Sequence, residues 1–214
     1  MTFSTELFER LPLVGILRGL PAEKLRPVVE AARDGGLTNL EITMNTPGAA
    51  AQILAAKEIA RDKLNIGAGT VTTMRLLDEA LESGAGFIVT PTLTISVIER
   101  CVQLGVPVFP GAFSPSEIVR AWELGAMMVK VFPADSLGPD YLRSLKGFCP
   151  HIRLMPTGGV DLHTLEAYAK AGADVFGVGS PLFRADRIAA GDWDWLRSQC
   201  RAFAEACRAA RGTL

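Results

Sequence analysis

The stretch Met127-Met128-Val129-Lys130-Val131-Phe132, closed by Pro133, is an apolar run that carries a single charge. A run of this length bounded by turn residues reads as a buried strand, and lysine is among the residue types least often buried unpaired. Desolvation costs the ammonium free energy and lowers its pKa toward neutrality. A neutral amine on a rigid strand suits carbonyl trapping through a Schiff base. The plainer reading of the same residue is a strand-end lysine that snorkels to water or joins a salt bridge.

Similar runs recur outward from this one, at residues 13–17, 39–44, 64–68, 87–89, 106–109, 152–155 and 175–178, making eight in all. Between them lie segments with helical spacing, such as Leu25, Val28, Val29 and Ala32, or Leu76, Leu77, Ala80 and Leu81. Glycine follows many of these segments, in Asp34-Gly35-Gly36, Ser83-Gly84, Leu104-Gly105, Leu124-Gly125 and Ala171-Gly172. The recurrence, at roughly 20 to 25 residues, is a strand–helix period. Near-continuous apolar strands alternating with helices predict parallel pairing with helical cover. Eight such units in 214 residues predict an α/β fold of one domain, residues 1–214, a (β/α)8 TIM barrel with a parallel eight-stranded core. Residues 2–11 are expected to form a helix across the barrel bottom, and residues 193–211 a C-terminal helix whose Trp193 and Trp195 pack to close the core.

Composition narrows the function classes. Hydrophobic residues make up 49% of the chain, and 22 basic residues face 23 acidic ones. The mean hydropathy is +0.25 and the pI about 6.2. That balance predicts no nucleic-acid or anionic-membrane partner. No apolar stretch reaches membrane-spanning length, and no signal-peptide core stands near Met1. Cys101, Cys149, Cys200 and Cys207 show no C-x-x-C spacing, and only His151 and His163 are available to join them. The expected setting is a reducing cytoplasm, without a structural metal; no cofactor is expected.

In such barrels the active site lies at the C-terminal ends of the strands. Leu40-Glu41-Ile42-Thr43 places a carboxylate alone among aliphatics, a candidate partner for Lys130. Glu41 reads either as an acid/base or as a structural counter-ion of Lys130 or an arginine. A tight ion pair would hold the amine protonated, so catalysis requires water or substrate between the two. Pro156-Thr157-Gly158-Gly159-Val160 and Gly177-Val178-Gly179-Ser180 follow the seventh and eighth runs, where these barrels recurrently bind phosphate. Ser180 is expected to cap the following helix. Turn glycines without a ligand are the alternative. A dinucleotide fingerprint is excluded because the third glycine is missing. Gly67-Ala68-Gly69-Thr70-Val71 offers a hydroxyl beside bare backbone for a carboxylate, and Arg18 is the arginine at a strand end, with a surface role equally open.

Together, Gly15-Ile16-Leu17-Arg18-Gly19, Leu40-Glu41-Ile42-Thr43, Gly67-Ala68-Gly69-Thr70-Val71, Val129-Lys130-Val131-Phe132-Pro133-Ala134, Pro156-Thr157-Gly158-Gly159-Val160 and Gly177-Val178-Gly179-Ser180 resemble the 2-keto-3-deoxy-6-phosphogluconate aldolase family, which includes phosphogalactonate and 4-hydroxy-2-oxoglutarate aldolases. The resemblance implies a metal-free class I aldolase on a homotrimeric barrel, acting on a phosphorylated keto acid in carbohydrate metabolism. It implies Lys130 as the Schiff-base lysine and Glu41 as the general acid/base. By the same likeness Thr70 holds the pyruvate carboxylate, Gly158, Gly159, Gly179 and Ser180 cradle phosphate, and Pro91, Phe132 and Thr157 complete the substrate site. Met44-Asn45-Thr46-Pro47 departs from the phosphogluconate enzymes, which often carry arginine where Asn45 stands. Asn45, with Arg18 and Leu137-Gly138-Pro139-Asp140-Tyr141, is similar to the phosphogalactonate branch, whereas Thr157 is similar to the phosphogluconate branch. Arg18 is inferred to take over the carboxylate clamp. Two other readings of the scaffold are a sugar-phosphate isomerase or epimerase and a non-catalytic metabolite-binding barrel.

Overall fold

The computed structural model describes residues 3–212. Helix α1 (Thr5–Arg10) leads into strands β1 (Leu13–Leu17), β2 (Asn39–Thr43), β3 (Asn65–Gly69) and β4 (Ile88–Val89), which alternate with α2 (Leu25–Asp34), α3 (Ala49–Ala60) and α4 (Met74–Glu82). Then α5 (Ile95–Gln103) precedes the short β5 (Val108–Phe109) and β6 (Gly111–Ala112), and α6 (Pro115–Glu123) precedes β7 (Val129–Val131). The chain closes with α7 (Gly138–Phe148), β8 (Leu154–Pro156), α8 (Leu165–Lys170), β9 (Phe176–Val178), α9 (Ala185–Ala190) and α10 (Trp193–Gly212). All eight apolar runs became strands. Residue 2, at the start of the expected N-terminal helix, lies outside the described residues.

Every strand pairing is parallel, but the sheet is recorded as two ladders, β5-β4-β3-β2-β1-β9 and β6-β7-β8. The expected α/β class with a parallel sheet is borne out as a curled sheet with an interrupted strand, which is not recorded as one continuous eight-stranded ring. Pro110, which has no N–H to give a ladder, separates β5 from β6. The ladders still touch at both seams. Lys130 donates its backbone N–H to Pro110 O at 2.8 Å, Asp174 donates to Leu154 O at 3.0 Å, and Thr157 bridges Gly177.

Five helices stop in the same way. In α4, the N–H of Gly84 reaches Leu81 O at 2.9 Å and that of Ala85 reaches Ala80 O at 3.0 Å, with Gly84 at φ +82. This is a Schellman motif, which satisfies the last carbonyls and needs a left-handed residue that glycine supplies without a Cβ penalty. Gly36, Gly105, Gly125 and Gly172 occupy the same position after α2, α5, α6 and α8.

Strand parity then sorts the core. Leu13, Ile88, Val108, Val129 and Leu154 pack toward the helices, whereas their neighbours Val14, Val89, Phe109, Met128 and Met155 join Phe8, Phe87 and Val175 in a second, inner cluster. Phe87 and Phe109 stack at 5.2 Å between centroids, and Phe8 lies 5.5 Å from Phe109, so α1 plugs the end of the curled sheet where the strands begin. Successive strand residues face opposite sides, so Lys130, two beyond Met128, and Thr157, two beyond Met155, point inward. Ile16, two beyond Val14, does the same, and it is paired with Glu41. Among the described residues no helix is long and apolar enough to cross a membrane.

Candidate active site

The inward positions converge on a cavity of about 830 Å3 at the strand ends. Lys130 lines it from β7 and Phe132 from just past its end, Thr157, Gly158 and Gly159 from the end of β8, Gly179 and Ser180 from the end of β9, and Arg18 from the end of β1. Eight of the twelve site residues expected from the sequence thus share one space. Glu41, Asn45, Thr70 and Pro91 are not on its wall. Asn45 is exposed in the turn after β2. Thr70 adopts φ +57, a left-handed conformation that is costly for a β-branched residue. Pro91 packs under Gly111, where an added Cβ would come within 2.3 Å of its backbone.

Glu41 lies just behind the wall. Its carboxylate is fully buried, and neither oxygen has a hydrogen-bond partner among the described residues. It rests on Gly69, where a Cβ would fall 1.7 Å from its Oε1, so β3 is bare there to admit the side chain. Burial raises the Glu41 pKa, opposed by the charges of Lys130 and Arg18. Lys130 is 4% exposed, with its Nζ 5.1 Å from the centre of the Phe132 ring. Burial lowers its pKa, opposed by Glu41 and aided by Arg18. The two groups make no direct ion pair, although each feels the other's charge. The amine therefore remains open to a ligand rather than locked to a carboxylate.

The glycine loops form the opposite side. Gly158 and Gly159 take φ +92 and +71, and Gly159 sits so close to Asp135 that a Cβ would meet the aspartate Cβ at 2.6 Å. Among the described residues the N–H groups of Gly159 and Ser180 donate to no protein acceptor, which leaves them for an anion. The expected helix cap by Ser180 is corrected. Leu182 and Phe183 donate to Gly179 O in a single turn that occupies the place of a first helical turn, and α9 begins only at Ala185, behind Arg184. Thr157 Oγ1 is buried without a partner, and Gly177 makes room for it, since a Cβ there would stand 2.2 Å away.

A buried lysine and a buried carboxylate without an ion pair among the described residues, beside glycine loops, make a cavity whose chemistry could hold an anionic carbonyl compound. A family model described as "Aldolase: KDPG and KHG aldolase" matches residues 5–198. The chain belongs to the KDPG and KHG aldolase family. It is 36% identical to the 2-dehydro-3-deoxy-6-phosphogalactonate aldolase of Escherichia coli over 94% of this chain and 97% of that one. It is 37% identical to the 2-dehydro-3-deoxy-phosphogluconate aldolase of Treponema pallidum, over 87% and 90%. The Legionella pneumophila KDPG aldolase, solved with pyruvate captured as a covalent carbinolamine, superposes with a TM-score of 0.86 at 28% identity, over 92% of this chain and 96% of that one.

Sequence reasoning missed three polar residues around the site. Thr43, Thr46 and Gln52 are buried beside the loop that carries Arg18. Thr46 stands next to Pro47 and Gln52 follows three alanines in α3, a context that gives no sign of burial.

Proposed function

We propose that this aldolase cleaves 2-keto-3-deoxy-6-phosphogluconate or its galactonate epimer to pyruvate and glyceraldehyde 3-phosphate, working as a single-domain barrel in a homotrimer. The observation that carries the reading is Lys130, buried at the cavity wall with no ion pair among the described residues, with Glu41 near enough to act on its charge. Desolvation favours the neutral, nucleophilic amine. Its Nζ adds to the C2 ketone, and loss of water from the carbinolamine gives an iminium. Glu41 removes the C4 hydroxyl proton through a water, the C3–C4 bond breaks, and its electron pair passes into the iminium as an enamine. Glyceraldehyde 3-phosphate leaves. Protonation at C3 and hydrolysis return pyruvate and free Lys130.

The free N–H groups of Gly159 and Ser180, with Gly158 beside them, suit the phosphate, and Arg18 suits the substrate's negative charge. The inward Thr157 hydroxyl, without a partner among the described residues, supports a contact with a substrate hydroxyl. Thr70 at the end of β3 and Phe132 beside the amine are assigned to the pyruvate half. An isomerase or epimerase would not require an unpaired lysine, and the family likeness is to aldolases, so that alternative is set aside. The test is borohydride reduction in the presence of pyruvate, followed by peptide mass mapping. Wild-type protein should gain one pyruvyl adduct on Lys130, and Lys130→Ala should show neither adduct nor pyruvate release. An adduct on a different lysine, or undiminished turnover by Lys130→Ala, would refute the assignment.

A further inference from the structure

The loop between β1 and α2 carries Arg18, and two buried side chains from the β2–α3 segment grip its backbone on successive residues. The Gly19 N–H donates to Thr46 Oγ1 at 2.9 Å, and Gln52 Nε2 donates to Leu20 O at 2.9 Å. Thr46 is 4% exposed and Gln52 3% exposed. Burying such groups costs free energy unless they find partners, and Gln52 keeps its Oε1 unpartnered even so. What both gain is a hold on one loop. Thr46 Oγ1 also lies 3.1 Å from Thr43 Oγ1, and Thr43 is fully buried two residues beyond Glu41 on the same face of β2. A continuous path of hydroxyls therefore ties the strand that bears Glu41 to the residue after Arg18.

The gripped residue is the one that needs it. Gly19 has φ +64 and no heavy atom within 4 Å of where a Cβ would be, so packing does not fix it. Glycine visits many backbone conformations when nothing restrains it. Arg18 is exposed and makes no ion pair among the described residues, so its direction depends on the backbone that carries it.

We propose that Thr46 and Gln52 are positioning residues, a two-point clamp that aims Arg18 into the cavity and fixes its distance from Lys130 and Glu41. This rests on the aldolase reading of the site for the consequence in turnover, but not for the clamp itself. Thr46→Val and Gln52→Leu remove the hydrogen bonds with little change of shape, and Thr46→Ser keeps the hydroxyl.

Two measurements decide it. In hydrogen–deuterium exchange without substrate, peptides covering residues 17–22 should exchange about tenfold faster in Thr46→Val and Gln52→Leu, and at the wild-type rate in Thr46→Ser. In a pyruvate-release assay with both epimeric phosphates, Thr46→Val should raise KM about 5- to 10-fold with a smaller change in kcat, and Thr46→Ser should restore it. The effect should vanish in an Arg18→Met background, because the clamp acts through Arg18. Unchanged exchange in both clamp variants would overturn the clamp even if wild-type protein released no pyruvate from either substrate. Faster exchange with a KM effect that persists in full beside Arg18→Met would overturn the positioning of Arg18. If Thr46→Val fails to fold, Gln52→Leu and Thr46→Ser carry the same two tests.

Discussion

Replacing Glu41 with glutamine separates what the carboxylate does chemically from what it does electrostatically. Glutamine has nearly the same shape, and Glu41 lies against the bare backbone of Gly69, so the variant fits the existing space. A carboxylate that moves protons in the cleavage step supplies about 10²–10⁴ in rate, equivalent to about 3–5 kcal/mol of barrier. Glu41→Gln should therefore lower kcat by that factor. Imine formation should survive, since it depends on Lys130. The Glu41 charge raises the Lys130 pKa, so losing it should let the amine deprotonate at lower pH and move the pH midpoint for borohydride trapping of pyruvate downward.

Stability gives an independent readout of the same change. Burial raises the pKa of Glu41 in the folded protein above its unfolded value. The folded state then holds the proton over a pH range in which the unfolded state has lost it, so stability falls as pH rises through that window. Replacing the buried carboxylate with a neutral amide should therefore raise the melting temperature at pH 8. The advantage should shrink toward acidic pH, as wild-type Glu41 takes up its proton. The experiments are steady-state pyruvate release, trapping followed by mass spectrometry across pH, and thermal melts at two pH values. Undiminished kcat would refute the acid/base role, and loss of trapping would refute the separation between Glu41 and Lys130.

Two further substitutions test the packing. Gly69→Ala drives a Cβ into Glu41, and overpacking of this kind costs about 1–3 kcal/mol, so melts should fall by about 2–12 °C and turnover should drop at least as far as in Glu41→Gln. Wild-type kinetics for that variant would mean that Glu41 is not held where the structure puts it. Gly84→Ala places a side chain at φ +82 in a Schellman motif remote from the cavity, at about 1–2 kcal/mol. Its Tm should fall by about 2–8 °C with kcat and KM unchanged, and an unaltered melt would remove the left-handed requirement.

The order of elements was legible because it is local. Apolar runs closed by glycine or proline become strands wherever helical segments separate them, and Gly36, Gly84, Gly105, Gly125 and Gly172 end helices through bonds spanning only a few residues. Lys130 and Glu41 stood out for the same reason, as single charges in apolar strands whose burial needs an explanation. The strand Gly111–Ala112 was not legible, being two small residues after a proline. Ser180 was misread because a turn and a first helical turn share the same composition.

Contacts across the sheet depended on curvature, which no single segment encodes. Glu41 and Lys130 are far apart in sequence, and whether they touch or face each other across a gap is set by how the strands between them tilt and close. The inner face was fixed only when Val14, Met128 and Met155 met Phe8 at the strand beginnings, carrying Ile16, Lys130 and Thr157 toward the cavity. Thr46 and Gln52 look like ordinary turn and helix residues until α3 packs under the β1 loop, and then each becomes a buried donor or acceptor with one backbone partner. The sequence by itself determined which groups carry charge and where strands begin and end, because those follow from solvation and short-range periodicity. The tertiary structure alone decided which of those groups share a space, because distance between segments is a property of the closed sheet.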